Sequence, residues 1–202
     1  MIKNKNIEIA VDHNFHLKTK NVMDEWELRR SEDYRSYRKE WYNNPKNNVL
    51  NNFPIHLDIE ATSACNFLCT MCPRTEMIEN STFWKVENFD METYEKIVSE
   101  GVKNGLRSIK FQYLGEPLVN KHLVKMIKFA KNAGVVDVMF NTNASLLNEK
   151  KSKEVILSGV DKVFFSFDSP YKDKFNEIRV KGDYDQVLKN IKNFMRIKKE
   201  LK

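Results

Sequence analysis

The sequence predicts an α/β fold in which the strands form a parallel sheet. Four short apolar runs of strand-like composition occur between residues 55 and 167, and a polar turn follows each of them. Segments with helix-like apolar spacing separate the runs. Strands joined by helical crossovers of this length pair in parallel, so the alternation itself indicates the sheet.

Local patterns place the individual elements. The predicted strands span residues 55–60, 107–114, 135–140 and 160–167. The predicted helices span residues 89–104, 121–131, 149–157 and 183–199. Asp90 is a favourable N-cap for the first of these helices, and Gly105 closes it. Residues 75–88 lack a clean period, which predicts a loop.

Residues 1–50 differ in composition from the rest of the chain. Charged and aromatic side chains are dense from Asp24 to Tyr42, and their spacing predicts one or two amphipathic helices that end at Asn43-Asn44-Pro45. Two interpretations are open: an arm that helps to shape the site, or a helical extension packed on the outside, which we prefer. The predicted domains are therefore residues 1–50 and residues 51–202, the second apparently truncated at its C-terminus.

Composition narrows the function classes. Hydrophobic residues make up 41% of the 202 positions and charged residues 31%, which is typical of a soluble globular protein. No run is apolar enough for a membrane span, and the first residues lack the apolar core of a signal peptide, so we expect a cytoplasmic location. The net charge of +6 comes from scattered lysines without a basic, aromatic stripe, and no nucleic-acid partner is predicted.

All three cysteines fall in one C-x3-C-x2-C stretch directly after the first predicted strand: Cys65, Cys69 and Cys72. One alternative is a disulfide that leaves the third thiol free, although nothing else indicates an oxidising compartment. Another is a structural zinc site, for which His56 is the nearest fourth ligand. The third is an iron–sulfur cluster that leaves one iron without a protein ligand.

The spacing resembles the cluster motif of the radical S-adenosylmethionine (SAM) enzymes, and Met71 matches the large apolar residue before the last cysteine. The resemblance implies that these cysteines bind a [4Fe–4S] cluster whose fourth iron is chelated by SAM. It implies an enzyme that cleaves SAM to a 5′-deoxyadenosyl radical, an electron donor such as flavodoxin or ferredoxin, and a substrate that the sequence does not identify. It also implies a partial (β/α) barrel, of whose usual six units about four are present here.

Further segments resemble family motifs at the ends of the other strands. Gly115-Glu116-Pro117 resembles the glycine–glutamate segment that contacts the SAM amino group. Asn141-Thr142-Asn143-Ala144 resembles a Thr-Asn-Gly segment and makes Asn143 a candidate, although alanine in the glycine position speaks against a positive φ. For each segment the alternative is an ordinary turn.

The last two candidates lie in the C-terminal part of the chain. Ser166-Phe167-Asp168 resembles the Ser-x-Asp end of the fourth strand, where the serine faces SAM, and Asp168 could instead cap a turn. Arg179 resembles an arginine that pairs with the SAM carboxylate, and its alternative is a surface side chain. We expect Glu116, Ser166 and Arg179 to lie near the cysteines, because ligands bind at the carboxyl ends of parallel strands.

The whole domain resembles SPASM-type members but lacks their C-terminal cysteines. We expect a fragment of a longer protein, the alternative being a reduced form with a partner. The predicted strand order is sequential. The fourth strand is then an edge strand. It is apolar enough to be buried on both faces, but with two barrel units absent we expect its inner face and its free edge to be open to water. Competing functions are a catalytically silent iron–sulfur module and a zinc-binding nucleic-acid protein.

Overall fold

The computed structural model describes residues 29–80 and 85–201, apart from the side chain of Glu79. The chain divides into two compact units, Met1–Asn48 and Val49–Lys202. The part of the predicted N-terminal helices before residue 29 lies outside the described residues. Among those residues, no helix combines the length and the apolarity that a membrane crossing needs.

The first unit contains helix α1, Glu32–Lys46. Ser31 caps it, because its Oγ accepts a hydrogen bond from the backbone N–H of Tyr34 at 3.3 Å. The prediction that the helix ends at Asn43-Asn44-Pro45 is wrong, since Pro45 lies inside the last turn. Proline removes one N–H donor, and so close to the helix end the loss of that donor disrupts little of the helix.

The second unit is built on a four-stranded parallel sheet whose order, β1-β2-β3-β4, follows the chain as predicted. The strands are β1 His56–Ile59, β2 Ser108–Phe111, β3 Asp137–Thr142 and β4 Lys162–Phe165. Parallel pairing aligns Ile59 with Phe111, Phe111 with Phe140 and Phe140 with Val163. Each observed strand is shorter than the apolar run that predicted it or is shifted along it, since the paired ladder stops where the chain turns toward the next helix.

Among the described residues of this unit, six α-helices and one 3₁₀ turn join and follow the strands. They are α2 Pro73–Asn80, α3 Met91–Lys103, the 3₁₀ turn Pro117–Val119, α4 Leu123–Ala133, α5 Glu149–Ile156, α6 Lys172–Ile178 and α7 Tyr184–Glu200. Asp90 caps α3 as predicted, with its Oδ1 2.8 Å from the backbone nitrogen of Thr93. The loop predicted over residues 75–88 is wrong for its first part, which forms α2. That helix is short and largely exposed, so it carries no apolar period.

The core lies between one face of the sheet and the helices. Ile109, Phe111, Val138 and Phe140 are fully buried in one apolar cluster with Tyr94 and residues of α4. The composition of β4 suits burial on both faces, but one face is open to water, as expected for the edge of this sheet. Phe164 is 45% exposed, because β4 is the edge of the described sheet and no described element covers its second face.

Candidate cofactor site

One cavity lies at the carboxyl ends of the four strands and has a volume of about 300 Å³. It is lined by residues from every strand end, including these predicted site residues: Cys65, Cys69, Cys72, Gly115, Glu116, Asn143, Ser166 and Arg179. Pro117 and Asp168 are not part of the lining. Pro117 is buried at the start of the 3₁₀ turn, and Asp168 contacts the cavity only through Arg179. The parallel sheet thus gathers segments that lie far apart in the chain.

The three cysteine thiols are free, and none takes part in a disulfide. Cys69 is buried, and Cys65 and Cys72 are half-buried. Burial raises the pKa of Cys65 and of Cys69, because a buried thiolate loses hydration. A bound metal centre reverses that preference, since it coordinates the thiolate form.

Within residues 29–80 and 85–201, no three His, Cys, Asp or Glu side chains converge on a point where one metal ion would bind. His56 begins β1, at the opposite end of that strand from the cysteines, and its Nδ1 lies 2.8 Å from Ser108 Oγ. A [4Fe–4S] cluster takes each cysteine on a different iron, so its ligands surround a space rather than a point. Cysteines distributed around one cavity fit that group.

The cysteine loop, residues 60–72, is held from inside by Arg74. This side chain is only 5% exposed. Its Nε donates to the carbonyl oxygen of Ser63 at 2.7 Å and its Nη1 to that of Phe67 at 3.5 Å. Arg74 was absent from the candidates, although its place two residues after the last cysteine is a usable signal. Buried guanidinium donors fix the loop because they satisfy carbonyls that no strand partner reaches.

The same loop is held from outside by residues 178–182, called here the clamp segment. The backbone N–H of Leu68 donates to the carbonyl of Val180 at 2.9 Å, and that of Thr70 donates to Ile178 at 3.0 Å. Two bonds of this kind join the cysteine loop to the chain after α6. The clamp segment therefore forms one wall of the site.

Gly115 is required by a close backbone approach. A Cβ atom at this position would lie 1.7 Å from the carbonyl oxygen of Thr62. The backbone N–H groups of Leu114 and Gly115 both donate to Glu60 Oε1, at 3.0 and 3.1 Å. Glu60 was not among the candidates, and its signal is its position at the end of β1. The glycine and this carboxylate together attach the β2 end to the cysteine loop.

Glu116 joins the ends of β2 and β3. Its carboxylate accepts hydrogen bonds from Thr142 Oγ1 at 2.7 Å, from the backbone nitrogen of Asn143 at 2.7 Å and from that of Leu118 at 3.2 Å. Burial raises the pKa of the Glu116 carboxyl, although the bonds from Asn143 and Thr142 act in the opposite direction. The structure thus gives Glu116 a positioning role, and its contact with the SAM amino group stays a prediction.

The turn after β3 faces the cysteine loop. Asn143 Nδ2 donates to Asn66 Oδ1 at 2.9 Å and lies 4.0 Å from Cys65 Sγ. The sequence argument against a positive φ at Ala144 is wrong, because its φ is +60°. Hydrogen bonds hold this conformation: the N–H of Ala144 donates to Thr142 Oγ1 at 3.0 Å, and its carbonyl accepts from Asn190 Nδ2 at 2.9 Å.

Arg179 of the clamp segment bridges the fourth strand and the cysteines. Its Nε forms an ion pair with Asp168 Oδ2, and its Nη1 lies 3.5 Å from Cys69 Sγ. The side chain is 14% exposed, so the surface-arginine alternative is wrong. Burial opposes the charge, but the hydrogen bond to Asp168 and the charge of Cys69 outweigh it and raise the pKa of the Arg179 guanidinium.

Other cavity residues were not among the predicted site residues. Gln112, Tyr113 and Asn141 line the same space. The Oδ1 atom of Asn141 is buried and has no hydrogen-bond partner within the described chain. The predicted strand included Tyr113, yet β2 ends at Phe111 and Tyr113 is 77% exposed. A buried acceptor without a partner marks a place where a bound ligand can donate.

Comparison with known proteins shows which family the chain matches. The model of the radical SAM superfamily matches residues 59–200. A GTP 3′,8-cyclase from Alkaliphilus metalliredigens is 32% identical over 143 residues, which are 70% of this chain and 43% of the relative. A probable GTP 3′,8-cyclase from Methanococcus vannielii is 34% identical over 133 residues, 66% of this chain and 42% of the relative. The chain thus spans less than half the length of these curated relatives.

Two solved structures resemble the fold. Native anSMEcpe with bound AdoMet has a TM-score of 0.57 and 25% identity, covering 72% of this chain and 42% of that one. Streptococcus suis SuiB bound to S-adenosylmethionine has a TM-score of 0.61 and 17% identity, covering 91% and 42%. The predicted partial (β/α) barrel is thereby confirmed.

The family match also bears on the chemistry. Proteins of the matched superfamily are enzymes that use radical chemistry with a [4Fe–4S] cluster and SAM, and the predicted enzyme class and cofactors are confirmed at this level. Three cysteines, the Gly115-Glu116 turn and the strand order all agree with that assignment. The chain belongs to the radical SAM superfamily.

Proposed function

We propose that this chain is the cofactor-binding core of a radical SAM enzyme, in which Cys65, Cys69 and Cys72 hold the cluster and the adjoining cavity holds SAM. The observation that carries the proposal is the convergence of all three thiols with Gly115, Glu116, Asn143, Ser166 and Arg179 on one cavity. When bound, the cluster supplies an electron that cleaves SAM to a 5′-deoxyadenosyl radical able to take hydrogen from a substrate.

The residues of this chain prepare the site in different ways. Gly115 lets the β2 end approach Thr62 closely, and the buried Glu116 aligns that end with the turn at Asn143. Ser166 presents a hydroxyl from the end of β4, and its backbone is held by a 2.8 Å bond to the carbonyl of Thr142. In this proposal Asp168 and Pro117 act through their neighbours rather than by touching the cofactors.

For the substrate we propose a purine nucleotide, with GTP as the first candidate. What supports it is the name of the two relatives described above, a GTP 3′,8-cyclase and a probable GTP 3′,8-cyclase, both matched over part of their length. The unpartnered Asn141 Oδ1 in the cavity is compatible with a ligand that carries N–H donors, as a guanine does. A one-electron donor such as flavodoxin or ferredoxin completes the proposed system.

The test begins with anaerobic reconstitution with iron and sulfide, followed by SAM and dithionite, with 5′-deoxyadenosine measured by chromatography. We expect about four irons per chain, the content of the cluster type proposed, and formation of 5′-deoxyadenosine. Cys65→Ala, Cys69→Ala and Cys72→Ala should each abolish it. Glu76→Gln, a change of an exposed residue just after the loop, is the matched control and should leave it unchanged.

The outcomes separate the competing functions. Full SAM cleavage by Cys69→Ala contradicts the cysteine assignment. Iron uptake without SAM cleavage favours the silent iron–sulfur module, and colourless protein with stoichiometric zinc favours the zinc protein. A further arm adds GTP, with ATP as the matched control. GTP should increase the yield of 5′-deoxyadenosine and be consumed. If only this experiment fails, GTP is rejected as the substrate, but the proposed cleavage of SAM is not.

A further inference from the structure

The clamp segment places one positive charge against the cysteines. Among the described residues that line the cavity, Arg179 is the one basic side chain. Its Nη1 approaches Cys69 Sγ at 3.5 Å, and the sulfur is within reach of a charge-assisted hydrogen bond. No other described cation has a contact of this kind with a cysteine sulfur in the structure.

The orientation of Arg179 is fixed from two sides. Asp168, at the end of β4, accepts from Nε and so turns the other end of the guanidinium toward Cys69. The backbone on either side is fixed as well, because Ile178 and Val180 accept hydrogen bonds from the cysteine loop. Gly182 lies against the Phe67 ring, where an added Cβ would come within 2.9 Å of a ring carbon. The guanidinium is therefore pre-positioned beside the thiol.

Hydrogen bonds and positive charge at a cluster's sulfur ligands are established means of setting its reduction potential. One-electron reduction adds a negative charge to the site and neither forms nor breaks a bond; dithionite supplies the electron. A guanidinium beside Cys69 stabilises the more negative, reduced state. Its removal should make reduction harder.

We propose that Arg179 raises the reduction potential of the cluster through its contact with Cys69, and that Asp168 positions it for this role. The inference rests on the proposed function, since it requires the cluster. It differs from the SAM-carboxylate pairing that the family resemblance implies, because it acts before SAM is present. Arg179 is thus a positioning and tuning residue for electron transfer.

The experiment is a redox titration of the reconstituted protein without SAM, followed by electron paramagnetic resonance. We expect the midpoint potential of Arg179→Gln to be more negative than that of the wild type. The potential of Arg179→Lys should lie between the two, because lysine keeps the charge but lacks the planar guanidinium that contacts Asp168 and Cys69 together. Asp168→Glu keeps the charge of the ion pair but displaces the guanidinium, and it should shift the potential in the same direction by less. Lys181→Gln, the matched control, removes one charge from an exposed residue of the same segment and should leave the potential unchanged.

Iron content and circular dichroism are measured on each variant, so that lost folding is not taken for lost tuning. If Arg179→Gln takes up no iron, Arg179→Lys and Asp168→Glu carry the test. Equal potentials in all reconstituted variants would overturn the tuning role, even if SAM affinity fell. Wild-type protein that takes up no cluster would instead overturn the proposed function and the tuning role together.

Discussion

Two residues at the cavity rim, Tyr113 and Gly115, place opposite demands on the backbone. Gly115 has no positive φ, and glycine is required there because the backbone carbonyl of Thr62 lies so close. Tyr113 has a φ of +121°, a conformation that side chains rarely adopt, yet it is 77% exposed and gains little from packing. At this rim Gly115 avoids a steric conflict, whereas Tyr113 adopts a strained backbone conformation.

Gly115→Ala should destabilise the fold by more than about 2 kcal/mol, because the new Cβ would overlap the Thr62 carbonyl and force the β2 end away from the cysteine loop. The measurement is urea unfolding. Gly105→Ala is the control: nothing lies within 4 Å of its Cβ position, so it should lose only about 1 kcal/mol for its positive φ. Equal losses in the two variants would show that the close approach is not limiting.

Tyr113→Gly should stabilise the fold by about 1 kcal/mol, since relief of the strained φ exceeds the added freedom of the unfolded chain. The control is Tyr171→Gly, another exposed tyrosine, whose φ of −96° is unstrained and which should lose stability. Both are compared by thermal unfolding. A loss of stability in Tyr113→Gly as large as that in Tyr171→Gly would argue against strain.

Elements differ in how far their sequences determine them. The long helices α3 and α7 carry an apolar period and a capping aspartate, and both were predicted. Helix α6 has seven residues, too few for a period, and it is stabilised by the packing of Phe175 against Phe167 and Tyr184 outside the helix. The site divides in the same way. Cysteine spacing identifies the thiols, whereas Glu60 and Arg74 matter through backbone groups that only the fold brings near them.

Phe175→Ala in α6 should cost about 3–5 kcal/mol, as for other fully buried phenylalanines. Its ring packs against Phe167 at 5.1 Å and Tyr184 at 5.6 Å between centroids. Because α6 leads into the clamp segment, iron uptake should fall as well. Phe164→Ala, at a half-exposed site on β4, is the control and should cost about 0.5 kcal/mol with normal iron uptake. Normal iron uptake by Phe175→Ala would show that α6 does not support the cysteine loop.

His56, at the amino end of the sheet, should make the free energy of unfolding depend on pH. Burial lowers the pKa of this imidazole from its ordinary 6.5, despite the opposing carboxylate of Asp58. Below pH 6.5 the unfolded chain then binds the proton more strongly than the folded one, so this contribution to stability is present above that pH and is lost as the pH falls. Unfolding free energies from pH 8 down to about 5 should decline less in His56→Gln than in the wild type. Parallel curves would refute the assignment.

At the scale of the second unit, the sheet is covered unequally. One face is buried under helices, while the other carries charged and half-exposed side chains, among them Lys110, whose Nζ lies 5.0 Å from the centre of the Phe164 ring. Within the described chain β4 has a partner on one side only. Edge strands with exposed apolar side chains favour association between molecules.

The 202-residue protein should therefore self-associate in solution. Size-exclusion chromatography with light scattering over a range of concentrations is the measurement, and Phe164→Ser should shift the distribution toward the monomer. Tyr171→Ser, which removes a still more exposed ring away from the strand edge, should not. A stable monomer at every concentration would count in favour of a self-sufficient small domain.

The clamp segment also sets an order of events during synthesis. The cysteines leave the ribosome early, but Arg179 follows Cys69 by 110 positions, and the carbonyls that hold Leu68 and Thr70 lie in the same late segment. Until that segment is made, the thiols have no outer wall and remain open to oxidation or to stray metal ions. If these cysteines hold the proposed cluster, we expect stable loading only after the clamp segment has folded against the cysteine loop.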